Sequence, residues 1–253
     1  MNLHDVAAIV TGGASGLGAA TARLLVEQGA KVTVFDLDEQ TGGAEAKRVG
    51  GLFCKVNVAD QADVASAIEY AEQRHGVARV LVNCAGISTV RKTVGRENDP
   101  HPLDVFRRTI EVNLIGTFNT ISQFAARLAA WPTDEEERGV IVNTASVSAF
   151  DGQVGQVAYA ASKGGVVSLT LPVARDLAMH RIRVMTIAPG IFLTPMMLGL
   201  PQAAQDSLGK QVPHPSRLGR PEEYAQMVGA IVANPMLNGE VIRLDGAIRM
   251  APR

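Results

Sequence analysis

Apolar residues along the chain alternate between two spacings. Short β-branched runs read as strands at Val6–Thr11, Lys31–Asp36, Leu52–Val56, Val80–Asn83, Val140–Thr144, Arg183–Ile187 and Glu240–Arg243. Between them, Gly18–Gln28, Asp63–His75, Asp104–Ala130, Ala158–His180 and Pro221–Ala233 repeat apolar residues every three or four positions, as helices covering a sheet do. Strands that are apolar almost throughout must be buried on both faces. The alternation therefore predicts an α/β fold, a doubly wound parallel sheet of seven strands flanked by helices. Three stretches break the pattern and are predicted as loops: Ser88–Pro102, Trp131–Gly139 with its acidic run Asp134–Glu137, and Thr194–Ser216 with four prolines. Loops at the carboxyl ends of parallel strands usually form the substrate site, so the first and third are candidate pocket walls. The acidic run is expected to be a solvated turn.

Length and composition agree with this picture. The 253 residues contain no repeat, low-complexity tract or linker, and one domain is expected. A hydrophobic content of 47% with only 4% aromatics suits a core of Val, Ile, Leu and Ala. Lys and Arg total 24 against 25 Asp and Glu, a net charge of -1, so no field recruits nucleic acid or an anionic membrane, and neither is expected as a partner. Cys54 and Cys84 lie in separate apolar segments without metal-ligand spacing, as buried thiols of a reducing compartment do, and no metal site is expected. The opening MNLHDVAAIV lacks the basic region of a signal peptide, and no apolar run approaches a membrane span. A soluble, cytoplasmic protein is the expectation, although a processed matrix protein would look the same.

The first strand runs into Thr11-Gly12-Gly13-Ala14-Ser15-Gly16-Leu17-Gly18 and then a helical pattern. Glycines there let the backbone turn tightly and approach a pyrophosphate, whose charge sits on the free N–H groups of the helix start. The second strand ends in Asp36, where a carboxylate accepts hydrogen bonds from adenosine ribose hydroxyls and repels a 2′-phosphate. The combination predicts a Rossmann-like nucleotide site with NAD as the cofactor.

Tyr159 and Lys163 form Tyr-x-x-x-Lys at a helix start, one turn apart on one face. A neighbouring ammonium favours phenolate, which makes the phenol a usable acid/base. Ser146 ends the preceding strand region, where its hydroxyl can reach the same reacting oxygen.

Together these motifs resemble those of the short-chain dehydrogenase/reductase family, across essentially the whole chain. The resemblance implies an enzyme that moves hydride between a secondary alcohol or ketone and nicotinamide. It implies that Gly12, Ser15, Gly16, Leu17 and Gly18 cradle the cofactor, together with Asp36. The segment Asn83-Cys84-Ala85-Gly86 matches the family's N-x-A-G, which brings in Asn83, Ala85 and Gly86. Pro189, Gly190 and Thr194 match the segment that borders the nicotinamide. Asn57 stands where many relatives have an aspartate on the adenine, with Val58 beside it. Asn113, Ser146, Tyr159 and Lys163 are the implied catalytic set: Tyr159 takes the proton, Ser146 orients the substrate oxygen, and Asn113 holds a water linking Lys163 to solvent. The family's pairing of long helices, here Asp104–Ala130 and Ala158–His180, and then of C-terminal segments, implies a homotetramer.

The segments NTASVSAFDGQVGQVAYAASKGG, LPVARDLA with its in-helix Pro172, RVMTIAPG and NPMLNGEVIRLDGAIRM are similar to a subgroup that acts on 3-hydroxyacyl-CoA thioesters and hydroxysteroids. Either is then the small-molecule substrate. Gln156, Phe192 and Leu198 are its expected contacts, within an apolar wall that also includes Leu193, Met196, Met197 and Leu200. Arg91, Lys92 and Arg96 offer cations to the phosphates of CoA, or simply form a charged loop. A broad-specificity carbonyl reductase and a nucleotide-binding scaffold without turnover stay open as alternatives.

Overall fold

The computed structural model describes residues 1–252, with Met196 by its backbone alone. Among the described residues seven strands alternate with nine α-helices. The first half runs β1 (Ala7–Thr11), α1 (Gly16–Glu27), β2 (Lys31–Asp36), α2 (Glu39–Val49), β3 (Leu52–Lys55), α3 (Gln61–His75) and β4 (Val80–Asn83). Then come α4 (Leu103–Ile110), a π-helical turn (Glu111–Ile115), α5 (Gly116–Ala130), β5 (Gly139–Thr144), a 3-10 turn (Val147–Ala149), α6 (Val157–Ala178) and β6 (Ile182–Pro189). Helices α7 (Pro195–Leu198), α8 (Gln202–Gly209) and α9 (Pro221–Ala233) precede β7 (Val241–Leu244).

The sheet is parallel throughout, in the order β3-β2-β1-β4-β5-β6-β7. Winding reverses between β1 and β4, and the crevice beyond their carboxyl ends is the expected ligand site. Successive strand residues feed opposite layers, as a period of two requires. Val10, Val34, Val82 and Val142 pack with Leu25, Tyr224 and Ile231 on one face; Ile9, Phe35, Leu81 and Ile141 pack with Ile68, Phe124 and Leu128 on the other. Both layers are buried and apolar, and the sheet is a platform for the loops at its edge.

Four expectations change. Helix α2 is absent from the apolar pattern because it is short and polar. It buries only Gly42, Glu45 and Ala46, with the Phe53 ring lying where a Gly42 side chain would stand. Its ends are nonetheless signalled: Asp38 caps Thr41 N, and Gly50 closes it at φ 69°. The span Thr194–Ser216 is not one loop, since Pro195 opens α7 and Pro201 caps α8, prolines starting helices rather than breaking them. The acidic run is not simply solvated: Glu137 pairs with the buried Arg183 at 2.7 Å. Finally, α6 is long and apolar enough, by length and composition, to cross a membrane, although the sequence read as having no such run. It packs instead against β6 and the turn before it as a core helix of this fold.

Candidate active site

The glycine loop is built around contacts that only glycine permits. Gly12 and Gly16 take φ of 64° and 53°. A Cβ on Gly12 would lie 2.7 Å from Ala85 N, and one on Gly18 would fall on the Gly12 carbonyl. One on Gly16 would stand 3.5 Å from Thr194 Cγ2, so the loop meets the start of the α7 segment. Ser15 is exposed and makes no side-chain cap, and no acidic residue stands in the first turn of α1. That turn, which also carries Leu17, offers uncapped N–H groups to an anion.

Asp36, at the end of β2, accepts from Ala14 N at 3.0 Å and Asp38 N at 3.1 Å. A carboxylate has about four acceptor positions, so lone pairs remain for ribose hydroxyls. The glycine cradle, uncapped helix and this carboxylate together fit a nicotinamide dinucleotide. Val58 is buried beside Gly116, while Asn57 is exposed and spends its Oδ1 on Ala59 N at 3.2 Å. Gly190 follows β6 and Pro189, close against Asp245.

Asn83 departs from its expected role. Its side chain is buried, accepts from Thr120 Oγ1 at 2.8 Å and donates to Asn143 Oδ1 at 2.9 Å. It ties the ends of β4 and β5 to α5 rather than reaching into the crevice. Thr11 Oγ1 in turn accepts from Ala85 N at 3.1 Å, leaving Gly86 as the exposed member of this segment.

The four implied catalytic residues converge beyond β4 and β5. The π-helical turn inserts one residue into the α4–α5 run, a distortion common at functional sites, and Asn113 lies within it. Asn113 is fully buried, accepting from Ile87 N at 2.8 Å and donating to Ile87 O at 2.8 Å and Ser162 Oγ at 3.0 Å. Ser162 passes the link on to Tyr159 O at 2.7 Å. A Cβ on Gly86 would stand 3.2 Å from Asn113 Oδ1 and 3.5 Å from Lys163 Nζ, so this glycine lets both groups close in.

Lys163 is 4% exposed, and Nζ donates to Thr144 O at 2.7 Å while standing 5.9 Å from the Tyr159 ring centroid. Burial pulls its pKa down to about 8. Burial also pushes the Tyr159 phenol up, partly offset by the Ser146 hydroxyl. Lys163 faces the Thr144 carbonyl, and desolvation is the larger influence on the phenol. Ser146 accepts from Ser148 N at 3.1 Å, and Ser148 Oγ donates to Gln156 Oε1 at 3.0 Å, so the loop carrying Ser146 and the start of α6 form one scaffold.

The sequence reading missed Thr144, Ile87, Ser148 and Ser162. Ser162 adjoins Lys163, and Ser148 follows Ser146 at the spacing of a serine turn. Ile87 and Thr144 act through backbone atoms, which no residue type announces.

Beside this scaffold lies a cavity of ≈ 380 Å³ lined by Arg91, Lys92, Gln153, Gln156 and Val157 among others. Gln156 borders it, with its Oε1 held by Ser148 and by Gln153 N at 3.1 Å. Arg96 does not line it, because the bridge between Val94 and Pro100 carries Arg96 to the tip of a small hairpin. Phe192 does not form a wall here. It is 7% exposed, its ring packs on Gly219, and it borders a separate cavity of ≈ 390 Å³ beside α9 and β7 that contains none of the catalytic set. Leu198 and Leu200 are exposed, and Met196, expected in the same wall, has its side chain outside the described residues.

Fold and site define an oxidoreductase: the family model of short chain dehydrogenases matches residues 6–205, and the chain belongs to that family. Within it, the chain is 53% identical to the human protein "3-hydroxyacyl-CoA dehydrogenase type-2", over 99% of this chain and 98% of that one. It is 50% identical to the Drosophila melanogaster protein of the same name, over 99% and 100% of the two chains. The crystal structure of 3-hydroxyacyl-CoA dehydrogenase type-2 from Mycobacterium avium superposes with a TM-score of 0.94 at 41% identity, covering 100% of both chains. The cofactor of such a dehydrogenase is a nicotinamide nucleotide and its substrate a small molecule.

Proposed function

We propose that the protein oxidises the secondary alcohol of a 3-hydroxyacyl-CoA to the 3-ketoacyl thioester, with NAD as cofactor. The observation that carries the reading is the placement of Tyr159 and Lys163 on successive turns of α6, with Ser146 held opposite and the cation-lined cavity at the helix start. The names of the relatives supply the acyl-CoA class. A bound nicotinamide supplies the hydride acceptor. Gly12, Gly16 and Gly18 cradle its pyrophosphate and Asp36 reads the ribose hydroxyls, which favours NAD over NADP. Ser146 orients the alcohol oxygen, Tyr159 as phenolate accepts its proton, and the Lys163 ammonium one turn away favours that phenolate before the transfer. Asn113, clamped to Ile87, holds the floor of the site and the path by which a water relays the proton. Arg91 and Lys92 meet the CoA phosphates at the mouth.

NADH formation across a panel of 3-hydroxyacyl-CoAs, hydroxysteroids and simple secondary alcohols tests the assignment. Turnover of the thioester at the highest kcat/KM supports it. Efficient steroid oxidation without acyl-CoA turnover replaces it with a hydroxysteroid dehydrogenase, and no alcohol oxidation at all leaves a nucleotide-binding scaffold. We also read the protein as a homotetramer, since Ile115, Phe118, Val157 and Leu171 expose apolar side chains along the long helices the family pairs.

A further inference from the structure

Lys163 donates to a backbone carbonyl, and what fixes that carbonyl lies outside the catalytic set. The β4–β5 ladder ends at the pair Asn83 and Asn143. One residue further on, Thr144 stays in register with Ile187 of β6, where Ala145 N donates to Ile187 O at 2.8 Å, but no register holds Thr144 against Cys84 on the β4 side. Side chains take over there: Thr144 Oγ1 donates to Cys84 Sγ at 3.5 Å, and Cys84 Sγ donates to Tyr224 Oη at 3.7 Å. With both of those donors spent, Tyr224 Oη donates to Thr144 Oγ1 at 2.7 Å. Each group donates once and accepts once, so the three close a head-to-tail ring. Tyr224 is among the largest fully buried side chains and reaches the ring from α9, which packs on the helix of the glycine loop. A phenol buried so deeply must have a partner for its hydroxyl. The partner it has is the residue whose carbonyl receives the Lys163 ammonium at 2.7 Å.

We propose that Tyr224 is a positioning residue for Lys163: through the ring with Thr144 and Cys84 it holds the end of β5 so that the Thr144 carbonyl fixes where the ammonium stands. The inference rests on the reading of Lys163 as part of the catalytic set. It ties the ammonium to α9 and so to the helix that begins at the glycine loop, giving the nucleotide cradle and the catalytic lysine a common mount. Burial and its partners keep Tyr224 protonated, its pKa raised well above that of a free phenol, so it acts as a donor and not as a base. Facing Lys163 are Tyr159 on its own helix, the Cys84 thiol at the end of β4, the amide of Asn113 and the Thr144 carbonyl. Among the described residues no carboxylate pairs with it, and the carbonyl is the dominant acceptor that its charge has.

The test compares Tyr224→Phe, Thr144→Val and Thr144→Ser. Thr144→Ser keeps the ring hydroxyl while Thr144→Val removes it at nearly the same shape. The first readout is the titration of Lys163, followed by NMR of the ¹³C-labelled ε-carbon without nucleotide or substrate. In the wild type Lys163 titrates near the value of about 8 set by burial. Tyr224→Phe and Thr144→Val are expected to lower the midpoint further, by about one unit, because the charged form loses an oriented acceptor. Thr144→Ser is expected to restore it. The second readout is kcat for whichever alcohol the wild type oxidises, with loss of roughly 10-fold in the two ring-breaking variants, recovery in Thr144→Ser and little change in KM. An unmoved Lys163 midpoint in folded Tyr224→Phe overturns the proposal. So does Thr144→Ser behaving like Thr144→Val. If Tyr224→Phe does not fold, the Thr144 pair decides alone. An enzyme that oxidises no alcohol counts against the dehydrogenase reading, while the Lys163 titration still judges the ring.

Discussion

Asp36 Oδ2 accepts from Ala14 N at 3.0 Å, so the carboxylate expected to read the ribose is also a strut of the glycine loop. Its other oxygen takes Asp38 N at 3.1 Å, which links the loop to the start of α2. Replacing Asp36 therefore does two things at once. Asp36→Ser keeps a short acceptor but removes the charge that repels a 2′-phosphate. We expect kcat/KM with NAD to fall by roughly 10- to 100-fold, the worth of one or two charge-assisted hydrogen bonds, and activity with NADP to rise. Wild-type kcat/KM with NADP equal to that with NAD would falsify the assignment.

Lys163 is held charged against its environment. Its folded pKa of about 8 lies below the ordinary 10.5, so the folded protein bears a penalty at pH 7 that is relieved as pH rises from about 8 to 10.5. The side chain is almost fully buried, and the shift corresponds to an upper limit of about 3 kcal/mol. Lys163→Met is expected to raise Tm at pH 7 while removing turnover. The gain should shrink in melts above pH 8. A Tm lower than wild type at pH 7 would show that the ammonium stabilises the fold.

Tyr159→Phe keeps the ring that packs at the start of α6 and loses only the proton carrier. Cofactor affinity, measured by quenching of the single tryptophan, Trp131, or by calorimetry, should stay within a few-fold of wild type. We expect kcat to fall by roughly 100-fold or more. Because burial raises the phenol, and oxidation requires phenolate, the oxidation rate of wild type should climb towards alkaline pH. A profile flat from pH 6 to 9, with hydride transfer shown to limit the rate, contradicts this role.

The loop cations divide by position. Arg91 and Lys92 line the cavity beside Gln156, whereas Arg96 stands at a hairpin tip. Neutralising Arg91 and Lys92 together should raise KM for a CoA thioester by roughly 10-fold and leave a steroid or simple alcohol unaffected, each exposed contact being worth about 0.7 kcal/mol. Arg96→Gln should have little effect. Equal KM changes for charged and uncharged substrates would assign the pair to loop folding instead.

The exposed Phe118 and Ile115 face solvent from the π-helical turn and α5, the family's pairing region. Light scattering at micromolar concentration should give the mass of four chains. Phe118→Glu should lower it, since a charge in an apolar two-fold interface meets its own copy. A monomeric wild type removes the tetramer.

How much was legible in the sequence follows from where each signal is stored. All seven strands and the glycine loop were readable because their patterns are local: β-branched runs must be buried, and a chain that turns at φ 64° needs glycine whatever surrounds it. Asp36, Ser146, Tyr159 and Lys163 could be singled out as candidates because their residue types and order are rare in combination. Helix α2 escaped because it buries so little that an apolar period never forms, and α7 and α8 because proline at a helix start looks like proline in a loop.

The rest belongs to the tertiary structure alone. Asn83 and Asn113 share a residue type and a place in the family's motifs, yet Asn83 is spent on the sheet and Asn113 on Ile87, because the partners come from other strands and helices. Phe192 turns into the core since Gly219, distant in sequence, leaves room for its ring. The Lys163 ammonium settles on the Thr144 carbonyl rather than on the Tyr159 phenol, and Tyr224 arrives from α9 to brace it. A sequence determines which groups a chain carries and which local turns it can make. The distance between two such groups, and the desolvation each suffers, exist only once the sheet has brought the ends of β4, β5 and α9 together.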